Sequence, residues 1–251
     1  MNEKIIRKIV TYGDKFIERH LTPVFDTDLM LLNWWQGLQY FLHYSFYQGR
    51  RDVISMKVEE RAIDVLKRYI TGKNENELIQ LKKDNFAKIR KELKQVIGKG
   101  KIGRGRDVNM VISILNFVSK LKDKNIVKYS ISKIKKGELK NHFYELQPKK
   151  IISIGPKITS LYLRDLVCMY SLEKFISKED LIFLQPIDTW VRKVAFKVGI
   201  IDDIKSSDEE VRRKIVETCG NLDISIIKFN QGAWYIGYYS FDIILENLDK
   251  I

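Results

Sequence analysis

Residues 28–47 carry apolar or aromatic side chains on nearly every side of a helix. Trp34, Trp35, Tyr40, Phe41, Leu42, Tyr44, Phe46 and Tyr47 leave no wide polar face. A helix of that kind is stable only inside a shell of other elements, and the rest of the chain reads as a supply of them. Residues 57–71 set Val58, Ala62, Val65, Leu66 and Tyr69 on one stripe at spacings of three and four. Residues 75–96, through Leu78, Leu81, Phe86, Ile89, Leu93 and Val96, read as two short helices broken near Asp84-Asn85. Residues 107–121 form an amphipathic helix with Asp107 as its expected N-cap. Residues 122–136 are Lys-rich and less regular, and helices at 137–149 and 157–175 flank a tight turn. A further pair covers 189–198 and 207–219, a last helix is expected at 240–249, and 224–229 is the one segment that reads as a short strand.

The fold class is therefore mainly α. Its expected organisation is two interleaved helical subdomains, 1–47 with 176–251, and 48–175.

The chain has 251 residues, 45% of them apolar, which is enough to bury a substantial core. Lys and Arg outnumber Asp and Glu by 45 to 32, a formal net charge of +13. A cationic surface of that size attracts polyanions and gains from counterion release on phosphates. Cys168 and Cys219 stand apart among apolar neighbours with no Cys-x-x-Cys pattern, so free thiols are expected and a zinc or iron–sulfur site is not. His20, His43 and His142 are scattered without a partner pattern, and no metal or cofactor is expected. The N-terminal residues Met1-Asn2-Glu3-Lys4-Ile5-Ile6-Arg7 scatter charges among apolar side chains and show no cleavage site, unlike a signal peptide, and no apolar run reaches the roughly 18 residues of a membrane span. The expectation is an intracellular monomer of cytoplasm or nucleoid, away from membranes.

Two short segments carry chemistry. In Ser153-Ile154-Gly155-Pro156-Lys157, Gly155 makes a turn and Pro156 starts a helix, where its missing N–H costs nothing. The N–H groups of such a turn and helix start suit one phosphate, without reading base sequence. Lys157 then stands at the helix start as a candidate nucleophile. In Pro186-Ile187-Asp188-Thr189, Asp188 is a candidate N-cap for a helix bearing Val191, Val194, Ala195 and Val198 and closed by Gly199. A carboxylate at a helix N-terminus can stabilise an oxocarbenium-like sugar.

Ile151-Ile152-Ser153-Ile154-Gly155-Pro156-Lys157 resembles the Leu-Pro-Gly-Val-Gly-x-Lys hairpin of the helix-hairpin-helix base-excision DNA glycosylases. Pro186-Ile187-Asp188-Thr189-Trp190-Val191-Arg192-Lys193-Val194 resembles their Val-Asp-Thr-His-Val-x-Arg-Val segment. The resemblance implies a helix-hairpin-helix element and a bifunctional glycosylase/lyase, with Lys157 as Schiff-base nucleophile and Asp188 as catalytic carboxylate. Gln48, after the long apolar helix, is similar to the family's glutamine that enters the gap left by an extruded base. The chain departs from the family in having Ile152-Ser153 for Pro-Gly and a longer segment between Lys157 and Asp188. It also lacks the four-cysteine tail of the endonuclease III branch, which turns the likeness toward the oxoguanine glycosylases.

The implied partner is double-stranded DNA with a damaged base, 8-oxoguanine first among the candidates. The alternatives are a glycosylase for another base and a non-catalytic helix-hairpin-helix DNA-binding protein. Ser153, Ile154, Gly155, Lys149, Lys150, Arg50, Arg51, Arg104 and Arg106 are the expected contacts to the DNA backbone. For the base pocket, Trp190 and Trp234 lead a set that also includes Trp34, Trp35, Phe41 and Tyr235.

Overall fold

A computed structural model describes residues 3–70, 86–98 and 104–247 of the chain. The helix expected over 75–85 and the glycine-rich residues 99–103 lie outside the described residues. Those described are mainly helical, with no strand among them. The chain divides into two compact units, one of Met1–Phe25 with Ile176–Ile251 and one of Asp26–Phe175. The first boundary thus falls at Phe25 rather than at 47, because the apolar helix packs within the middle unit.

In that middle unit the expected single helix over 28–47 is two: α2 (Thr27–Leu32) and α3 (Trp34–Ser45). Asn33 separates them. Its backbone is extended, and its side-chain oxygen accepts the Trp35 N–H at 2.9 Å, so it caps α3. Asn125 holds the break from outside. Its amide donates to the Met30 and Leu31 carbonyls, while its oxygen caps α7 (Ile126–Lys135) through the Val127 and Lys128 N–H groups. Segment 122–136, less regular in sequence, is therefore largely this helix.

Around α3 lie α4 (Asp52–Lys67), α5 (Phe86–Val96), α6 (Gly105–Val118), α7, α8 (Leu139–Glu145) and α9 (Pro156–Met169). Leu38, Phe41 and Leu42 of α3, Val111 and Leu115 of α6, and Tyr162 and Leu166 of α9 are fully buried. Trp34, Trp35 and Phe41 belong to this core, at 4%, 2% and 0% exposure, so they are packing residues and not an open base pocket.

The other unit joins α1 (Glu3–Phe16), which ends in a π-helical turn at Ile17–Leu21, to α10 (Thr189–Lys197), α11 (Asp208–Asn221) and α12 (Ile226–Asn247). Its core is Ile6 and Ile9 of α1, Val191, Val194 and Ala195 of α10, Val211, Ile215 and Cys219 of α11, and Phe229, Ala233 and Ile236 of α12. In place of the strand expected at 224–229, α12 begins at Ile226, and it takes in the last expected helix as far as Asn247; 248 and 249 lie outside the described residues. Packing on α1 overrides the β-branched local sequence.

Helices α1 and α12 meet closely at two glycines. A Cβ at Gly232 would lie 2.0 Å from the Ile9 carbonyl oxygen, and one at Gly13 would lie 2.5 Å from that of Lys228. Helix propensity alone would make Gly232→Ala stabilising by about 1 kcal/mol. The clash is with backbone, which cannot step aside, so a net loss of about 2 kcal/mol is expected in a denaturant melt. Unchanged or increased stability would show that the two helices do not approach this closely.

Candidate nucleic-acid interface

Lys157 lies in the middle unit and Asp188 in the unit that contains the termini. In the middle unit the structure gathers Gln48, Arg106, Asp107 and the 151–157 turn into one hydrogen-bonded locus.

The turn follows α8 and leads into α9. Ser153 has φ +67°, the left-handed region, at the position where the resembled hairpin carries glycine. A serine can take that conformation at a cost of about 1–2 kcal/mol when its surroundings hold it there. Two groups from inside the unit do so. The Ile152 N–H donates to Ser113 Oγ at 2.9 Å, and Ser113 in turn donates to the Met110 carbonyl at 2.8 Å. The Ser153 carbonyl accepts from Gln48 Nε2 at 3.0 Å.

Gly155, the N-cap of α9, has φ −96° and ψ 177°, which any residue adopts, and a Cβ there would meet nothing within 4 Å. Neither backbone nor packing calls for a glycine at this position. Beyond it, the N–H groups of Gly155, Lys157 and Ile158 meet no acceptor among the described residues. The turn therefore leaves these donors without an acceptor among the described residues, at the positive end of a 14-residue helix. Lys157 is half-buried, and its amine has no hydrogen-bond or ion-pair partner among the described residues.

The basic residues divide. Lys149, Arg51, Arg104 and Arg106 are exposed, and Lys150 is 57% exposed beside Glu145, with Nζ to Oε1 at 3.4 Å. Arg106 reaches the Gln48 carbonyl at 3.0 Å. Arg50 differs from expectation: its side chain is 5% exposed and bonded at 2.5 Å to Asp107, itself fully buried. It is an internal ion-pair partner of Asp107. Asp107 is also not the N-cap of α6. It stands at the third position, where Oδ2 accepts the Arg104 N–H at 2.8 Å.

A hydrogen-bonded relay joins α7, α8 and α9. The Glu145 carboxylate accepts from Tyr129 at 2.9 Å and contacts His142 Nδ1 at 3.2 Å. His142 Nε2 meets Ser130 Oγ at 2.9 Å, and Ser130 meets the Tyr162 hydroxyl at 2.9 Å. The order of groups is that of a nucleophile triad, but Ser130 and His142 are fully buried, so the relay fastens α7, α8 and α9 together. Burial pushes His142 below its ordinary value of 6.5, and the bonds from His142 and Tyr129 hold Glu145 at about 2. Both groups bind protons less readily folded than unfolded. Their stabilisation is complete above the ordinary values and is lost as pH falls, first below 6.5 for His142 and then from 4.5 toward about 2 for Glu145. Melting temperature is expected to fall on acidification in those two windows, and Glu145→Gln is expected to flatten the lower one. Parallel pH profiles for the two proteins would contradict the assignment.

In the terminal unit, Asp188 has extended backbone, and its Oδ1 accepts the Val191 N–H at 2.8 Å, making it the N-cap of α10. Gly199, at φ +75°, closes that helix. The side chain of Gln185, three residues earlier than Asp188, is wholly buried with both amide atoms unpaired among the described residues. Trp190 is half-buried, with Lys193 Nζ 5.0 Å from its ring centre and Gly237 against its Cβ. Trp234 stacks on Tyr238 at 4.8 Å and meets the edges of Phe16 and His20, while Tyr235 packs near Tyr239. Arg19 lies 4.4 Å over the Tyr239 ring. This aromatic group draws on α1, a helix not anticipated in the sequence.

Cys168 and Cys219 are free thiols. Among the described residues no cluster of three or more His, Cys, Asp or Glu could hold a metal ion, and no helix is long and apolar enough to cross a membrane. A scan against family models matches none, and searches of curated proteins and of solved structures return no match. The functional reading accordingly rests on these residues and on the motifs they form.

Proposed function

We infer that the chain is a DNA glycosylase and abasic-site lyase of the helix-hairpin-helix kind, acting on an oxidised purine, 8-oxoguanine first. The single observation that carries the reading is the turn before Lys157. Its serine is held in a glycine conformation, its glycine serves no internal purpose, and its N–H groups, like the lysine that follows them, have no partner among the described residues. The net charge of +13 and the exposed Arg51, Arg104, Arg106, Lys149 and Lys150 add the electrostatic attraction that a duplex requires.

On this reading α8, the turn and α9 form the hairpin, and one backbone phosphate sits on the N–H groups of Gly155, Lys157 and Ile158. The damaged nucleotide is extruded, since C1′ cannot be attacked inside the stack. Lys157 Nζ bonds to C1′ as the C1′–N9 bond breaks, and the base leaves with the electron pair and takes up a proton. The family resemblance, and not a geometry seen here, makes Asp188 the candidate to stabilise the positive charge on the sugar and Trp190 and Trp234 the candidates to meet the base. The C1′–O4′ bond then breaks with its electron pair going to O4′, which takes up the amine's remaining proton, and C1′ and Nζ are left joined as an imine. Loss of a C2′ proton expels the 3′ phosphate, leaving a nicked strand.

The parent protein is expected to nick a duplex carrying 8-oxoguanine and to leave the undamaged duplex intact. Gly155→Ala is expected to melt at the parent temperature or slightly above, because alanine there lowers the entropy of the unfolded chain by the equivalent of about 0.4–1 kcal/mol. It is expected to bind duplex about ten-fold more weakly, as a methyl group displaces the phosphate from its charge-assisted hydrogen bonds. No cleavage of any damaged duplex would overturn the enzymatic reading, and unchanged binding by Gly155→Ala would remove the phosphate from the turn.

A further inference from the structure

We propose that Gln48 and Ser113 are positioning residues of the phosphate-binding turn, acting on DNA through the turn's backbone and not through the base gap. The inference rests on the nucleic-acid reading above.

Gln48 follows α3 in sequence and is partly buried, with its side chain turned inward. Its single NH2 group is shared among the Ser45 carbonyl at 2.8 Å, the Met110 sulfur and the Ser153 carbonyl at 3.0 Å. Arg106 fixes its backbone from the other side through the Gln48 carbonyl. A side chain committed to three acceptors on α3, α6 and the turn must give up all of them to enter a duplex.

The two bonds to the turn divide its polar groups by direction. Ser113 takes the Ile152 N–H and Gln48 takes the Ser153 carbonyl, both from inside the unit. With those groups engaged, the left-handed Ser153 is locked, and the N–H groups of Gly155, Lys157 and Ile158 are left for an outside anion. Without either bond, Ser153 would relax toward an ordinary backbone region and carry Gly155 with it. Resemblance points to a gap-filling glutamine; the bonds point to a brace.

The two roles separate on undamaged DNA, which has no gap. Affinities of the parent, Gln48→Met and Ser113→Ala are measured by fluorescence anisotropy across a salt series. The probes are an undamaged duplex and one with a tetrahydrofuran abasic analogue, and each protein's thermal melt is recorded alongside. Both variants are expected to bind both duplexes about ten-fold more weakly, the scale of one hydrogen bond to a charged group. The slope of log affinity against log salt is expected to shrink by roughly 0.9, the share of a single phosphate, a change that mere loosening of the fold does not make. Gln48→Met that binds undamaged duplex like the parent and is weakened only on the abasic duplex overturns the proposal in favour of gap entry. Equal salt slopes in all three proteins overturn it too. Failure of the parent to bind either duplex is a separate result, which overturns the nucleic-acid reading and this inference with it.

Discussion

Lys157→Ala is expected to abolish strand cleavage at a damaged base while leaving duplex binding within a few-fold of the parent. The lysine is the second residue of α9, half-buried, with an amine that bonds to nothing else among the described residues. Its truncation therefore removes nothing that holds the fold, and the melting temperature should stay near the parent's. On the proposed reading the phosphate is held by backbone N–H groups that the substitution leaves in place. The covalent step has no substitute, and removing an enzyme's nucleophile costs about 10⁴-fold or more in rate. Single-turnover cleavage measures this directly, and a rate within about ten-fold of the parent would make Lys157 a bystander. Asp188 invites the companion measurement but a less clean one, because its carboxylate also caps α10.

Asp107→Ala is the corresponding prediction for stability. The carboxylate is fully buried, pairs with a guanidinium that is 5% exposed, and accepts the Arg104 N–H at the start of α6. Its removal takes the carboxylate partner from a buried guanidinium, which costs about 3–5 kcal/mol. For a chain of this size the melting temperature should fall by about 10 °C. Replacing both partners with apolar residues, Arg50→Met with Asp107→Leu, should cost much less, since no charge is then left behind. A cost below about 1 kcal/mol for Asp107→Ala would mean that Arg50 finds water or another anion, contrary to its burial. On the proposed reading the pair also matters to DNA binding, because Arg106, one residue before Asp107, bonds the Gln48 carbonyl and Gln48 bonds the turn.

Much of the helical architecture is legible in the sequence because its signal is local. Val58, Ala62, Val65 and Leu66 are all buried on α4, and Val191, Val194 and Ala195 on α10, as the spacing of three and four implies. The same stripe runs through Ile6, Ile9, Gly13 and Phe16 of α1, yet the scattered charges around it obscure the helix. At Asn33 one capping residue outweighs a long apolar run, and composition cannot show which of the two prevails. The start of α12 shows the opposite case: Ile224, Ile226 and Ile227 have strand propensity, but Gly232 and Gly13 let two helices touch, and that contact is tertiary.

The candidate site divides along the same line. Ser153, Gly155, Pro156 and Lys157 are near neighbours in the chain, so their turn can be read from it. The bonds that hold the turn cannot. Gln48 and Ser153 are 105 positions apart, and Arg50 and Asp107 are 57 apart, with no periodicity joining either pair. A buried arginine and an exposed one look the same in sequence, which is why Arg50 reads there as an equal of Arg51. The positive φ at Ser153 is hidden for a related reason: a serine advertises no left-handed backbone, and only its inward hydrogen bonds explain it.

Borohydride trapping of the parent protein on a duplex with a single 8-oxoguanine, followed by proteolysis and mass spectrometry of the adduct, reads the proposed chemistry at the reacting atom. A Schiff base formed at C1′ is reduced in place, and one cross-linked peptide with the modification on Lys157 is expected. No adduct on that or any other damaged duplex, or an adduct that forms equally well with Lys157→Ala, would contradict a lysine nucleophile at the head of α9.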